Sequence, residues 1–378
     1  MKNIKYYKTK STKIINYKKH IKMNKRLLLS IFLISVMVSG FAQDAPKYSN
    51  DFLSIGAGAR AFGMSNCVIA TSGDVTAAYW NPAGLVNNPL QYDIGLMHAE
   101  YFAGILKYDY LGGSYKVNDS TSLGFSVIRL GVDDIQDTRY LFDQDGNIDF
   151  DRIRSFSVAD YAFIFSYAKK SKIEGFNYGA NVKIIYRKQG EFANAYGFGL
   201  DAGVQYNRGK WHVGAMAMDV TSTFSAWTYN TEEVEEIFIE TGNEIPENGM
   251  EITLPRLRLG FARDFSFSEK VKATAEIDAD FTFDKKRHVL VEGDPVSIDP
   301  RFGVEVSYLN LIYLRMGIGD FQKVRNFDDK TDLNFQPNIG LGVKLFNFSI
   351  DYALTDIGDN SIAPYSNVFS LRYTFDRK

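Results

Sequence analysis

Residues 142–151, FDQDGNIDFD, place Asp143, Asp145 and Asn147 at alternate positions, as in the first half of an EF-hand calcium loop. The second half of that pattern is missing. The position that needs glycine falls on Ile148, and the position of the bidentate glutamate falls on Arg154. The stretch therefore reads as a polar hairpin tip turning at Asp145-Gly146, with a weak calcium site in an outer loop as the alternative. Three of the four histidines, His98, His212 and His288, lie beyond the amino-terminal leader described below. None falls in a His-Glu-x-x-His pattern, and none shares a face with a serine and an acid. The chain is expected to be no enzyme and to need no cofactor.

What then positions these residues? The sequence MNKRLLLSIFLISVMVSGFAQ has a basic start at Lys25 and Arg26, an apolar run from Leu27 to Val38, and small residues before Gln43. That is the pattern of a secretory signal peptide cut after Ala42. Residues 1–22 read as an over-extended start, with Met23 the true one. Removing residues 1–42 takes away ten of the 43 Lys and Arg and none of the 45 Asp and Glu, leaving a net charge near −12. Such an acidic chain does not suit nucleic acid, which calls for a basic stripe. The single cysteine, Cys67, excludes a disulfide framework. Aromatic residues make up 15% of the chain, alongside 31 glycines. Exported, acidic and aromatic-rich, it points to an outer-membrane β-barrel in contact with lipid.

From about residue 90 the side-chain period is two. In residues 176–187, Phe176, Tyr178, Ala180, Val182, Ile184 and Tyr186 share one face, and Asn177, Gly179, Asn181, Lys183 and Arg187 the other. Residues 196–207 and 271–283 repeat the scheme. A sandwich strand averages about 5–6 residues, whereas these run about 10–13, the length a tilted strand needs to cross lipid. The pattern predicts an all-β transmembrane barrel of about fourteen antiparallel strands. They fall near 90–98, 105–117, 121–132, 156–168, 175–187, 194–207, 210–221, 253–264, 270–283, 300–308, 311–320, 335–346, 348–356 and 365–376. Short turns alternate with mostly long connections, including 133–155, 222–252, 284–299 and 321–334. Such barrels turn tightly on the periplasmic side, which predicts both termini there. Inward carboxylates and basic residues such as Lys183, Arg187, Arg256, Arg258 and Arg315 should pair across the lumen, and His212 should point inward beside Lys210 as lumen polarity. The acidic run 230–249, with Val234, Ile237 and Phe238 at helical spacing, reads as a solvated outer loop or a docking surface. Phe369, Leu371, Tyr373 and Phe375 on the last strand resemble the signal read by barrel-assembly machinery.

Residues 51–85 do not alternate. Gly56, Gly58 and Gly63 permit close backbone packing, Asp74 offers an N-cap, and Asn81-Pro82 breaks or restarts a helix. Leu53, Phe62, Met64 and Trp80 need a surface to bury against, and a barrel wall supplies one. The expected division is a leader over 1–42, a hatch over 43–89 and a barrel over 90–378.

Residues 51–85, through Gly58-Ala59-Arg60-Ala61, Gly63-Met64 and Trp80-Asn81-Pro82-Ala83-Gly84-Leu85, resemble the amino-terminal signature of the PorV/PorQ family of Bacteroidetes outer-membrane proteins. That family is related to FadL-type fatty-acid channels, whose hatch carries a similar Asn-Pro-Ala element. The resemblance implies a FadL-like barrel in the cell outer membrane with a hatch. Gly58, Arg60, Gly63, Met64, Trp80, Asn81, Pro82 and Gly84 would belong to that hatch. It implies an accessory, partner-binding role in type IX secretion or a related envelope assembly, with other outer-membrane or secretion-system proteins as partners. The alternative is a FadL-like channel for small hydrophobic compounds with a lateral opening in the wall. Inward rows that read as charged and glycine-rich, with no continuous apolar track, favour the first. Arg60 is expected either to pair with Asp201, Glu276, Asp278 or Glu305 or to lie solvated at the periplasmic mouth.

Overall fold

The computed structural model describes residues 49–376 except 144, 234, 236–237, 240–241, 243, 246, 326–330, 356 and 358–364. The expected leader, residues 43–48 of the expected hatch, and Val234 and Ile237 lie outside the described residues.

Period-two alternation gives sixteen strand segments: β1 Tyr92–Tyr101, β2 Leu106–Asn118, β3 Thr121–Asp137, β4 Arg154–Lys170, β5 Phe176–Gln189, β6 Ala193–Arg208, β7 Trp211–Met218 and β8 Thr223–Tyr229, then β9 Gly249–Thr253, β10 Arg256–Ser266, β11 Val271–Thr282, β12 Ser297–Tyr308, β13 Ile312–Arg325, β14 Thr331–Leu345, β15 Phe348–Thr355 and β16 Ser366–Phe375. All ladders are antiparallel, and β1 pairs with β16 from Tyr92↔Phe375 to Glu100↔Asn367, so the sheet closes on itself. Closure leaves no end strand in the ring, the condition for a sheet to live in hydrocarbon.

Sixteen segments make fourteen strands. β6 pairs with β7 over 202–208 and with β8 over 193–198, so β7 and β8 are one strand broken at 219–222. β9 pairs with β8 and β10 with β7, making a second strand broken at 254–255. Pro255 has no N–H to give a ladder. At the first break side chains replace ladder bonds: the Asp219 amide donates to the Asp201 carboxylate at 2.9 Å, and Thr223 Oγ1 to Asp219 at 2.6 Å. Lys183 closes the cluster against Asp201 at 2.7 Å and Asp219 at 2.5 Å.

The strands run further outward than the alternation of apolar residues alone predicts. β3 continues to Asp137 and β4 starts at Arg154, while β8 and β9 occupy the ends of the stretch expected as one loop over 222–252. β13 and β14 take up most of 321–334. Beyond the lipid band a strand can be polar on both faces, so these ends look like loop in sequence although their backbones stay paired. The outer tip at 142–149 is a hairpin: Asp143 Oδ1 accepts the amides of Asp145 at 2.9 Å and Asn147 at 2.8 Å, while Phe142 bridges Ile148. These bonds, led by that from Asn147, hold the Asp143 carboxyl below its usual range.

Outward side chains are apolar and exposed, among them Leu96, Phe125, Phe165, Ile184, Phe261, Met316 and Leu341. Aromatic clusters mark both rims. At the short-turn end Tyr92 stacks on Phe375 at 4.9 Å, and Phe348 meets Tyr373 at 4.5 Å. At the other end Tyr186 lies between Tyr161 and Tyr196 at 6.1 and 5.0 Å. Phe369 and Leu371 of β16 face outward, exposed, on the strand that closes the ring.

The carboxyl end lies at the short-turn rim, where Asp376 accepts the Gln91 amide at 2.7 Å. The first described residues do not. Ser49 bonds Glu251 at 3.0 Å, and Asn50 bonds Thr253 and Ser225 at 3.1 and 2.9 Å, all on the long-loop half of the wall. Hatch contacts with β8 and β9 hold residues 49–50 at the end opposite Asp376, while the amino terminus that the expectation concerns lies outside the described residues.

Candidate functional site

Residues 51–87 fold inside the ring as short turns: Asp51–Ser54, Ala59–Gly63, Ala77–Trp80 and Pro82–Asn87. Small residues keep each turn thin enough to fit. The Ala77–Trp80 helix begins two residues later than the sequence suggests. Its N-cap is Thr76, and Asp74 instead accepts from the Thr76 amide at 2.9 Å and hydroxyl at 2.5 Å. Burial acts to raise the Asp74 carboxyl, yet the Arg372 guanidinium at 3.3 Å holds it below its ordinary value. Asn81 is extended at φ −161°, and Pro82 opens the next turn, so the helix does restart there.

Asn81 joins hatch to wall. Fully buried, its Nδ2 donates to the carbonyls of Ile69 at 3.1 Å and Val204 at 3.0 Å, and its Oδ1 accepts the Ala83 amide at 3.3 Å. Trp80 Nε1 donates to the Ala57 carbonyl at 2.7 Å, and the Arg258 guanidinium sits 5.5 Å over its ring. Leu53, Phe62, Met64 and Trp80 are all buried. Asn81→Ala should cost the hatch about 1–2 kcal/mol, because the Val204 carbonyl and the Ala83 amide lose a partner while the Ile69 carbonyl keeps Gln205 Nε2 at 3.2 Å. Limited proteolysis checks this: cleavage within residues 51–87 should speed up while the heat-stable barrel persists, and equal rates would contradict it.

The wall receives the hatch on glycines. A Cβ on Gly317 would lie 2.3 Å from the Met64 carbonyl carbon, one on Gly214 2.4 Å from the Ile69 oxygen, and one on Gly203 2.2 Å from Asn81 Oδ1. Gly179, Gly260, Gly303 and Gly340 meet the hatch in the same way. Within the hatch, a Cβ on Gly63 would lie 2.8 Å from the Gly340 Cα and one on Gly84 2.1 Å from the Ser72 oxygen, while Gly58 adopts φ +87°. Sequence reasoning saw inward glycines but missed their use as a seat.

Carboxylates complete the attachment. Glu276 accepts the Ala70 amide at 2.6 Å and the Thr71 hydroxyl at 2.5 Å, Asp278 the Ile69 amide at 3.0 Å, and Asp93 the Val75 amide at 2.9 Å. Of the four acids expected to pair with Arg60, Glu305 does so, at 3.0 Å. Glu276 and Asp278 bind hatch backbone, and Asp201 holds Lys183. Arg315 joins Glu305 at 2.6 Å and Asp351 at 2.6 Å. His212 faces inward between Asn207 at 2.8 Å and Asp264 at 2.9 Å.

The inner face is more apolar than expected. Met97, Tyr108, Ile128, Ile164, Ile185 and Met216 point inward and form one buried cluster with Phe52, Leu53, Phe62 and Trp80 of the hatch. These residues lie among small and polar ones, which hid the track in any single strand.

The hatch leaves a cavity on each side. Toward the periplasm, about 220 Å³ is lined by Arg60, Asp74, Glu305, Arg315, Asp351 and Arg372 among others. Toward the outside, about 370 Å³ has an apolar side of Ile55, Phe62, Tyr101, Phe102 and Leu106 facing Ser65, Asn66, Arg301, Asp320, Gln336 and Asn338. That volume is in the range of small-ligand sites. Asp320 sits at φ 51° where the β13–β14 ladder slips between Gly319 and Gln322.

No family model and no curated protein sequence matches the chain. Solved structures do. The CymD monoaromatic hydrocarbon channel is 13% identical, with 85% of this chain and 98% of that one covered, at a TM-score of 0.52. The P. putida toluene transporter TodX is 14% identical, with 85% and 99% covered, at 0.53. A Pseudomonas aeruginosa FadL homologue matches at 13% identity, 85% and 98% coverage and 0.47. At such identities the likeness is one of fold. The chain is a closed, fourteen-stranded FadL-like barrel of the cell outer membrane.

Proposed function

We propose that the chain is a channel that admits small hydrophobic compounds, of about the size of a single aromatic ring, through the outer membrane. The outer cavity carries this reading. Its apolar side would hold the ring, and its size exceeds the roughly 150 Å³ in which an apolar protein cavity takes up benzene. The proteins sharing its fold are named for monoaromatic hydrocarbons and toluene. The hatch, tied by buried bonds, keeps the lumen shut to ions. The ladder slip at Asp320 borders the cavity and offers a place where a compound could leave sideways into lipid. The accessory role in type IX secretion implied by the PorV/PorQ resemblance gains no support from these comparisons. The inward apolar cluster also removes the argument that favoured it over a channel.

The test is uptake of labelled toluene by cells whose outer membrane carries this chain, compared with Phe62→Asp and Phe102→Asp. Phe62 is buried, so a carboxylate in its place costs several kcal/mol and should cut uptake by about tenfold or more; Phe102 is exposed, so its carboxylate stays hydrated and should lower uptake less. Wild-type uptake equal to cells without the chain would overturn the reading.

A further inference from the structure

At the short-turn rim, on the outward face, Arg208 of β6, Trp211 of β7 and Arg263 of β10 stand directly opposite one another across two ladders. Directly opposite residues lie about 4.5–5.5 Å apart at Cβ, so both arginines start beside one indole. The Arg263 guanidinium lies 4.4 Å over the Trp211 ring. Lys210 adds a third cation from the tight turn, and together with Tyr206 and Val213 these residues bound a notch of about 480 Å³.

Two features single it out. No acid lines it, and among the described residues Arg208, Lys210 and Arg263 form no ion pair. The neighbouring carboxylate of Asp264 is turned inward, held by His212 at 2.9 Å and Thr274 at 2.7 Å. One row further into the membrane, Tyr206, Val213 and Phe261 present an apolar surface, with Phe261 5.2 Å from Trp211. Three cations thus stand at the level of lipid head groups, directly beneath a surface suited to acyl chains.

We propose that this face binds an anionic phospholipid of the periplasmic leaflet, with its phosphate held by Arg208, Lys210 and Arg263 at the rim of the notch and its chains in the apolar notch and along Tyr206, Val213 and Phe261. The guanidiniums donate to the phosphate oxygens as charge-assisted bonds, and Trp211 holds Arg263 in place.

The test uses the full barrel in nanodiscs of equal phosphatidylglycerol and phosphatidylcholine, released and weighed by native mass spectrometry. Wild type should retain phosphatidylglycerol over phosphatidylcholine by about tenfold. Arg208→Gln with Arg263→Gln should lose that preference, whereas Lys107→Gln with Lys188→Gln at the other rim should keep it. Trp211→Leu provides a second variant should the double change fail to give a heat-modifiable barrel, and it should weaken the preference. An unchanged preference in the notch variants would overturn the proposal, as would stripping of the lipid by millimolar inorganic phosphate, which would mark a site for the free ion.

Discussion

Gly317→Ala should unseat the hatch. The added methyl would sit 2.3 Å from the Met64 carbonyl carbon and 2.5 Å from the Ser65 amide nitrogen, both main chain, so no side-chain rotation relieves it. Overpacking of this kind costs about 1–3 kcal/mol, which raises the unseated fraction by about five- to 150-fold. Single-channel recording in planar bilayers should show the wild-type chain closed and the variant with frequent ion-conducting openings. Gly113→Ala is the matched control, because its Cβ would meet nothing within 4 Å. If Gly317→Ala and Gly113→Ala conduct alike, the glycine seat is not what holds the hatch.

Glu305→Gln should loosen the same segment from another side. Glu305 accepts from Arg60 at 3.0 and 3.3 Å and from Arg315 at 2.6 Å, and it is mostly buried. Removing its charge leaves Arg60 without its ion-pair partner, while Arg315 keeps Asp351. Breaking a buried pair from one side costs about 3–5 kcal/mol; the low end fits here because of Asp351. Denaturant should release the hatch, followed by protease cleavage near residue 60, well before the barrel unfolds. Arg60→Ala combined with Glu305→Gln should cost less than the two single changes together. Additive costs would mean the pair carries no coupling.

The barrel was legible because lipid on one side and lumen on the other impose a strict period of two, visible in stretches such as 176–187. The breaks at 219–222 and 254–255 were not, because each sits beside polar residues that read equally well as loop. The hatch showed itself by failing to alternate and by Asn81-Pro82. Its attachment was only partly readable. Arg60 and Glu305 are 245 positions apart, and nothing local ranks Glu305 above Asp201, Glu276 or Asp278. The outer cavity draws on the hatch and on seven different strands or their ends, so only the closed ring brings its polar side round to face the apolar one. Arg208, Trp211 and Arg263 were missed for the same reason, since the register that aligns them belongs to two ladders.

The contacts of Ser49 and Asn50 with β8 and β9 bear on biogenesis. Between those residues and Tyr92 the polypeptide runs the height of the cylinder from the inside, touching the last strand through Ala59 with Ser370 and Asp74 with Arg372, and the first through Val75 with Asp93. A ring sealed beforehand would have to be threaded through its own mouth. The expected order of assembly is therefore plug first and final join last, so a disulfide engineered to lock the first strand to the last before the plug is in place should leave residues 51–87 open to protease.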